Sequence, residues 1–290
     1  MAQVLSVPQK LRKGDTVAVL ATSGPCDASR LDAGVQYLQG LGLNVRVMQS
    51  CHASHGTYLA GSDAVRLQDL HTAFADPTVK GIIVARGGYG AARLLPYIDY
   101  DLLRRNPKIF VGYSDVTALH TAINQLCGFA TFHGPMVTGI SRESSTDTVT
   151  LKSLEDALFN ARGTPPIVQP KTLVPGRARG VLTGGNLCVI ASLLGTPYEI
   201  KTRGRILFLE EINEEPYRVD RLLLQLKLAG KLRDAAGIVL GDFTPETMQT
   251  LHMTISEIIV PEGVPTVYGL SCGHALPNIT LMLGGEFTLG

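Results

Sequence analysis

The chain contains no tryptophan among its 290 residues, so any stacking on a ligand would have to use one of its nine tyrosines or eight phenylalanines. Charge is also scarce. Charged residues make up 18% of the sequence and hydrophobic ones 45%, against roughly 25% charged in an average soluble protein. Disorder, which needs low hydrophobicity and high charge, is excluded. Twenty-six basic residues against twenty-five acidic ones leave a formal charge of +1, with no blocks of one sign. A nucleic-acid partner, which calls for a basic excess or stripe, is therefore not expected. No apolar run approaches the roughly 18 residues of a membrane span, and residues 1–14 lack the apolar h-region of a signal peptide. The expectation is a cytoplasmic protein with no membrane partner. The five cysteines (Cys26, Cys51, Cys127, Cys188 and Cys272) are odd in number, widely spaced and without a Cys-x-x-Cys pair. Unpaired, mostly buried thiols in a reducing compartment are the expected state.

A length of 290 residues favours two domains, at about 100–200 residues each. The first half alternates strand-like and helix-like segments. Short apolar runs at 16–21, 45–48, 81–85 and 108–112 predict strands. Apolar residues at helical spacing predict helices over 27–41, 62–75 and 116–126. Continuous apolar strands separated by helices predict an α/β domain with a parallel sheet covered on both faces, spanning 1–161. Residues 162–180 are rich in proline and glycine, lack helical periodicity and read as an interdomain crossing with some extended structure. Residues 181–290 predict a smaller mixed α+β domain. Its helices are expected near 186–194, over 217–229 and around 248–260, and its strands at 205–209, 237–240, 266–268 and 279–283.

Four places could carry chemistry. In Gly112-Tyr113-Ser114-Asp115 a buried strand ends, a serine follows and a helix begins at once, the context of a nucleophile elbow. Val116 stands where Gly-x-Ser-x-Gly needs its second glycine, so this is not a standard α/β-hydrolase; Ser114 could equally be a helix N-cap. Arg86-Gly87-Gly88-Tyr89-Gly90 follows a strand and lets backbone N–H groups approach a ligand, as one half of an oxyanion hole would. Arg93 stands where a dinucleotide fingerprint needs glycine, and no Gly-Lys-Ser/Thr follows for a P-loop. In Leu209-Glu210-Glu211-Ile212-Asn213-Glu214-Glu215 a carboxylate at a strand end could orient a histidine, and alternation cannot choose between Glu210 and Glu211. Gly273-His274 lies in a loop between strands and offers a candidate base. His71, His120 and His133 are alternatives, the first two on helices and better read as packing or surface groups. Cys51-His52-Ala53-Ser54-His55 lacks the ligand spacing of a metal site, and no metal is expected.

Taken in order, these pieces resemble the LD-carboxypeptidases, a family of serine peptidases that also holds the microcin-immunity type. Phe132-His133-Gly134-Pro135-Met136, Gly184-Gly185-Asn186-Leu187 and the Glu210 segment with Pro216 and Arg218 extend the match over nearly the whole chain. The resemblance implies a triad of Ser114 as nucleophile, His274 as base and then acid, and Glu210 orienting the imidazole. It implies an oxyanion hole from the backbone N–H groups of Gly88 and Asp115, and substrate contacts from Arg86 and Asn186. It further implies a homodimer without metal or organic cofactor. The substrate would be a murein tetrapeptide or related muropeptide, cut at its L,D-peptide bond to release D-Ala. Peptidyl or aminoacyl nucleotides are the alternative, and a non-catalytic α/β small-ligand binding protein is the alternative of another class. The sequence departs from the family in carrying Glu211 where an Asp is expected, and in ending at Gly290 where a little more strand is expected.

Overall fold

The computed structural model describes residues 3–143, 147–163, 170–243, 253 and 255–290. Five strands build most of a first sheet: β1 (Thr16–Leu20), β2 (Asn44–Val47), β3 (Val79–Val84), β4 (Ile109–Gly112) and β5 (Thr131–His133). They are mutually parallel, in the order β5-β4-β3-β1-β2. β1 shows why its sequence is an unbroken apolar run. Val17 and Val19 face a core under helices α1 (Ala28–Gly40) and α6 (Thr148–Asn160), whereas Ala18 and Leu20 face a second core under α2 (Asp63–Ala75). Alternate side chains point to opposite faces, and both faces are covered. Asp27 caps α1 by accepting the Arg30 N–H, and Ser62 caps α2 through the Val65 N–H.

The second sheet contains β6 (Lys171–Val174), β7 (Ala178–Asn186), β8 (Ile206–Glu210), β9 (Gly237–Leu240), β10 (Thr266–Tyr268) and β12 (Glu286–Leu289), in the order β12-β7-β8-β9-β10-β6. Its four central strands are parallel, and β12 and β6 are antiparallel edges. Leu207 and Leu209 of β8 pack on helix α8 (Pro216–Leu228), while Ile206 and Phe208 face inward.

Two features differ from the sequence reading, the pairing of the strand at 279–283 and the form of the helix at 116–126. The strand expected at 279–283 is β11 (Leu281–Leu283), and it pairs antiparallel with β5 of the first sheet. The segment 162–180, expected to hold some extended structure, supplies β6 and the start of β7. The helix expected over 116–126 is a 3₁₀ turn (Ser114–Val116), then α4 (Thr117–Ala122), then a π turn (Ile123–Cys127). Of the helix expected around 248–260, residues 253 and 255–259 are described and helical, and the rest of its first half lies outside the described residues. Among the described residues no helix is long and apolar enough to cross a membrane. All five cysteines are unpaired, with Cys51, Cys127 and Cys272 buried.

β11 ties the sheets together, because Leu281 and Leu283 share one core with Phe208 and Ile206. A second junction lies at β7. A Cβ on Gly185 would sit 2.4 Å from Thr117 Oγ1 of α4, and that hydroxyl accepts the Asn186 N–H at 3.0 Å. Gly185 thus lets the second sheet approach the helix that follows Ser114.

Candidate active site

Ser114 stands directly after β4 with φ of +64°, in the left-handed region that few non-glycine residues enter. Such a conformation costs on the order of 1–3 kcal/mol and persists only where surrounding structure enforces it. Here the enforcement is visible. A Cβ on Gly112 would come within 2.9 Å of Val116 Cγ1, so the tight turn needs glycine two residues before the serine. The Gly112 carbonyl is held by His120 Nε2 at 2.8 Å and by the Gly134 N–H at 3.1 Å. His120 is fully buried, and desolvation pushes its pKa down to about 4, which leaves a neutral ring to donate that bond. The N-cap reading of Ser114 does not hold: Tyr113 occupies that position and no side chain makes the cap bond.

The glycine loop lies against this turn. A Cβ on Gly87 would meet Ser114 Cβ at 3.1 Å and Oγ at 3.2 Å. Gly88 and Gly90 have φ of +116° and +131°. The buried Asp115 carboxylate anchors the loop, accepting Ser23 Oγ–H at 2.6 Å and the Ala91 N–H at 2.8 Å. Burial raises the Asp115 pKa, against the opposing effect of those bonds and of Arg66. The fully buried Arg66 donates to the Gly90 carbonyl at 2.9 Å and to that of Thr22.

On the second sheet, β8 ends in Glu210, whose Oε2 lies 2.7 Å from His274 Nδ1. Glu210 is fully buried, and the His274 side chain is 14% exposed, so the imidazole alone of the pair reaches the surface. Gly273 has φ of +141°, and a Cβ there would sit 3.1 Å from Glu210 Oε2, so glycine is needed beside the histidine. The Tyr113 ring packs on His274 with centroids 4.8 Å apart. Glu211 has a different task. It accepts from Asn186 Nδ2 at 2.9 Å, from the Cys188 N–H at 2.7 Å and from the Ile212 N–H at 2.9 Å.

Ser114, His274, Arg86, Gly87 and Gly88 line one cleft of about 390 Å³ with Tyr113, Met136 and Arg30. Asn186 is not among its lining residues. Its Oδ1 accepts the Val189 N–H and its Nδ2 holds Glu211, so both ends of the amide are engaged inside the fold. The Asp115 side chain also points away from the cleft, into the bonds that fix the glycine loop. His133 is buried without hydrogen-bond partners on either ring nitrogen, edge-on to Phe208 at 5.1 Å. The His71 ring accepts the Asp99 N–H at 3.0 Å. Among the described residues no group of three or more His, Cys, Asp and Glu is placed to hold a metal.

Two residues near the site were missed by sequence reasoning. Asp242 follows β9, beside Glu210; its carboxyl accepts the Ala275 N–H, and burial together with Glu210 pushes its pKa up to about 6. Its position just past a parallel strand's carboxyl end was a usable signal, because ligands gather at that edge. Arg30 sits in the first turn of α1, where the sequence offered only a helix-surface charge.

A strained serine after a parallel strand, a glycine loop against it and a buried carboxylate–histidine couple on the same cleft define a serine hydrolase. Family models agree over most of the chain: residues 17–134 match the LD-carboxypeptidase N-terminal domain and residues 179–289 its C-terminal domain. The chain belongs to the LD-carboxypeptidase family. It is 43% identical over 290 residues to the probable murein peptide carboxypeptidase of Bacillus subtilis (strain 168), covering 96% of this chain and 90% of the relative. The crystal structure of muramoyltetrapeptide carboxypeptidase from Oxalobacter formigenes is similar with a TM-score of 0.83 at 31% identity, covering 94% of each chain. The structure of MccF in complex with glutamyl sulfamoyl guanosine reaches a TM-score of 0.87 at 26% identity, covering 99% of this chain and 95% of that one.

Proposed function

We propose that the protein hydrolyses the L,D-peptide bond of murein tetrapeptide and releases the terminal D-Ala. The observation that carries this reading is the Glu210–His274 couple opening onto the same cleft as Ser114. Ser114 Oγ attacks the carbonyl at the L-centre of the diamino acid while His274 Nε2 takes its proton. Glu210 holds the Nδ1–H and stabilises the imidazolium. The tetrahedral oxyanion is bound by the N–H groups of Gly88 and Asp115, each such donor being worth about 3–4 kcal/mol of barrier. His274 then protonates the leaving amine, D-Ala departs, and water activated by the same imidazole hydrolyses the acyl-enzyme. Arg86 serves as a substrate contact, and the resemblance implies a homodimer working in the cytoplasm.

A second reading has its own support, because the MccF structure superposes more closely than the muramoyltetrapeptide carboxypeptidase, at a TM-score of 0.87 against 0.83. On that reading the same residues cleave a peptidyl or aminoacyl nucleotide. The murein reading draws on the 43% identity to the Bacillus carboxypeptidase, and on the absence of tryptophan, the residue with which members of the immunity type often stack the base. A non-catalytic binding protein would leave the Glu210–His274 couple without a purpose. Incubation with tetrapeptide, pentapeptide and a peptidyl adenylate separates these readings. Free D-Ala from the tetrapeptide alone is expected. Cleavage of the nucleotide conjugate without D-Ala release would reverse the assignment.

A further inference from the structure

The charges of the cleft are one-sided. Among the described residues, and apart from His274, its charged lining residues are Arg30 and Arg86, and no Asp or Glu lines it. This is unlike the chain as a whole, whose formal charge is +1. The two guanidinium groups are held differently. Arg86 donates from Nη1 to the Pro25 carbonyl at 2.6 Å, which fixes it beside the glycine loop. Arg30 is exposed on α1, and its guanidinium makes no hydrogen bond with a described residue. The neighbouring Asp27 carboxylate accepts the Arg30 backbone N–H and Ser29 Oγ–H on Oδ1, and these bonds, with a smaller contribution from the Arg30 charge, lower its pKa, but no ion pair joins the two side chains.

A small peptide cannot be captured by a broad basic field on so nearly neutral a protein. It has to be recognised by a few local donors. A guanidinium presents paired N–H groups that match the two oxygens of a carboxylate, and such charge-assisted bonds are roughly twice as strong as neutral ones. Two guanidinium groups in one cleft also disfavour substrates that are cationic at the leaving end.

We propose that Arg30, acting with Arg86, binds the free C-terminal carboxylate of the substrate and makes the enzyme a strict carboxypeptidase. Arg86 is the fixed half of the clamp, and Arg30 closes on the carboxylate when the peptide enters. An internal peptide bond or a C-terminal amide offers this pair no anion, so the clamp sets exo-specificity while Ser114 and His274 perform the chemistry. The inference rests on the peptidase reading of the same cleft.

The test compares murein tetrapeptide with its C-terminal amide, for the wild type and for Arg30→Ala, Arg30→Lys and Arg30→Glu, by D-Ala or D-alaninamide release. The wild type is expected to favour the free acid in kcat/KM by about 10–100-fold, the scale of hydrogen bonds to a charged group. Arg30→Ala should raise KM for the free acid by at least about tenfold, with kcat changed far less, as expected when an interaction common to ground and transition states is removed. The loss on the amide should be at least about tenfold smaller, because that substrate lacks the charge the guanidinium binds. Arg30→Lys should recover part of the KM, and Arg30→Glu should lose most. Equal losses on acid and amide, or an unchanged KM in Arg30→Ala, overturn the clamp while leaving the peptidase reading in place. If the wild type releases D-Ala from neither substrate, the peptidase reading falls and the clamp falls with it.

Discussion

The two sheets deliver their functional groups by opposite means. At the end of β4 the serine is presented by backbone: a positive φ, a glycine two residues earlier and a glycine loop packed within van der Waals reach of its Oγ. At the end of β8 the strand stays regular, and the acid–base pair is made by side chains, through one 2.7 Å bond between Glu210 and His274. Atoms added near Ser114 should therefore do harm by taking up space. Changes at Glu210 should do harm through charge and hydrogen bonding, with little change in shape.

This contrast is tested most severely by removing the groups themselves. Ser114→Ala should lower kcat by about 10⁴–10⁶ and leave the fold intact. Retained turnover by that variant would falsify the nucleophile assignment. Glu210→Gln keeps the shape but loses the charge and favours the wrong imidazole tautomer, so kcat should fall by about 10³–10⁴. Glu211→Gln is the matched control one residue away. It should lose stability, by about 1–3 kcal/mol from the weakened bonds to Asn186 and Cys188, with a much smaller change in kcat. If both glutamine variants lose activity equally, side-chain chemistry at Glu210 is not what distinguishes the two ends.

On the serine side, Gly87→Ala adds one methyl group whose carbon would stand 3.2 Å from Ser114 Oγ and 3.2 Å from Met136 Cε. Activity should drop by about 10–100-fold, as small displacements of reacting groups do, while the melting temperature moves little. Calorimetry showing a collapse of stability instead would mean that the loop supports the fold and not merely the site.

The smallest expected effect concerns Asp242. Its folded pKa of about 6 lies above the usual carboxylate value of 3.8, so the folded state binds the proton more tightly than the unfolded chain. The cost of ionising it is absent below about pH 4, grows through the interval and is fully present above about pH 6. Asp242→Asn keeps an acceptor for the Ala275 N–H and removes that cost. Its melting temperature should rise by about 2–4 °C at pH 7.5 and match the wild type near pH 4. A gain that is the same at both pH values would contradict the titration.

Much of the first sheet was readable because it rests on local patterns. The runs at β1, β3 and β4 are apolar throughout, and Asp27 and Ser62 mark helix starts. Less of the second sheet was readable. β12 went unnoticed because its half-exposed residues carry no distinct pattern, and β11 was placed with the wrong neighbours because strand pairing is a long-range choice. Asn186 had the look of a substrate contact, but a polar residue at a helix start can serve the helix as well as the cleft. Alternation along β8 separates Glu210 from Glu211 only once it is known which face looks toward the first sheet.

The division follows the range of the forces. Sequence alone determined the alternation of strands and helices in the first half and marked Ser114 as the residue between a strand and a helix; the strained turn there, with Val116 crowding Gly112, is a product of the fold. Tertiary structure decided which glutamate meets His274, a partner 64 residues away in the chain. It also brought Arg30 and Arg86, 56 residues apart in the chain, to one cleft. Those outcomes depend on how β7 and β11 dock one sheet on the other. That docking is set by packing between distant segments, which no local pattern encodes.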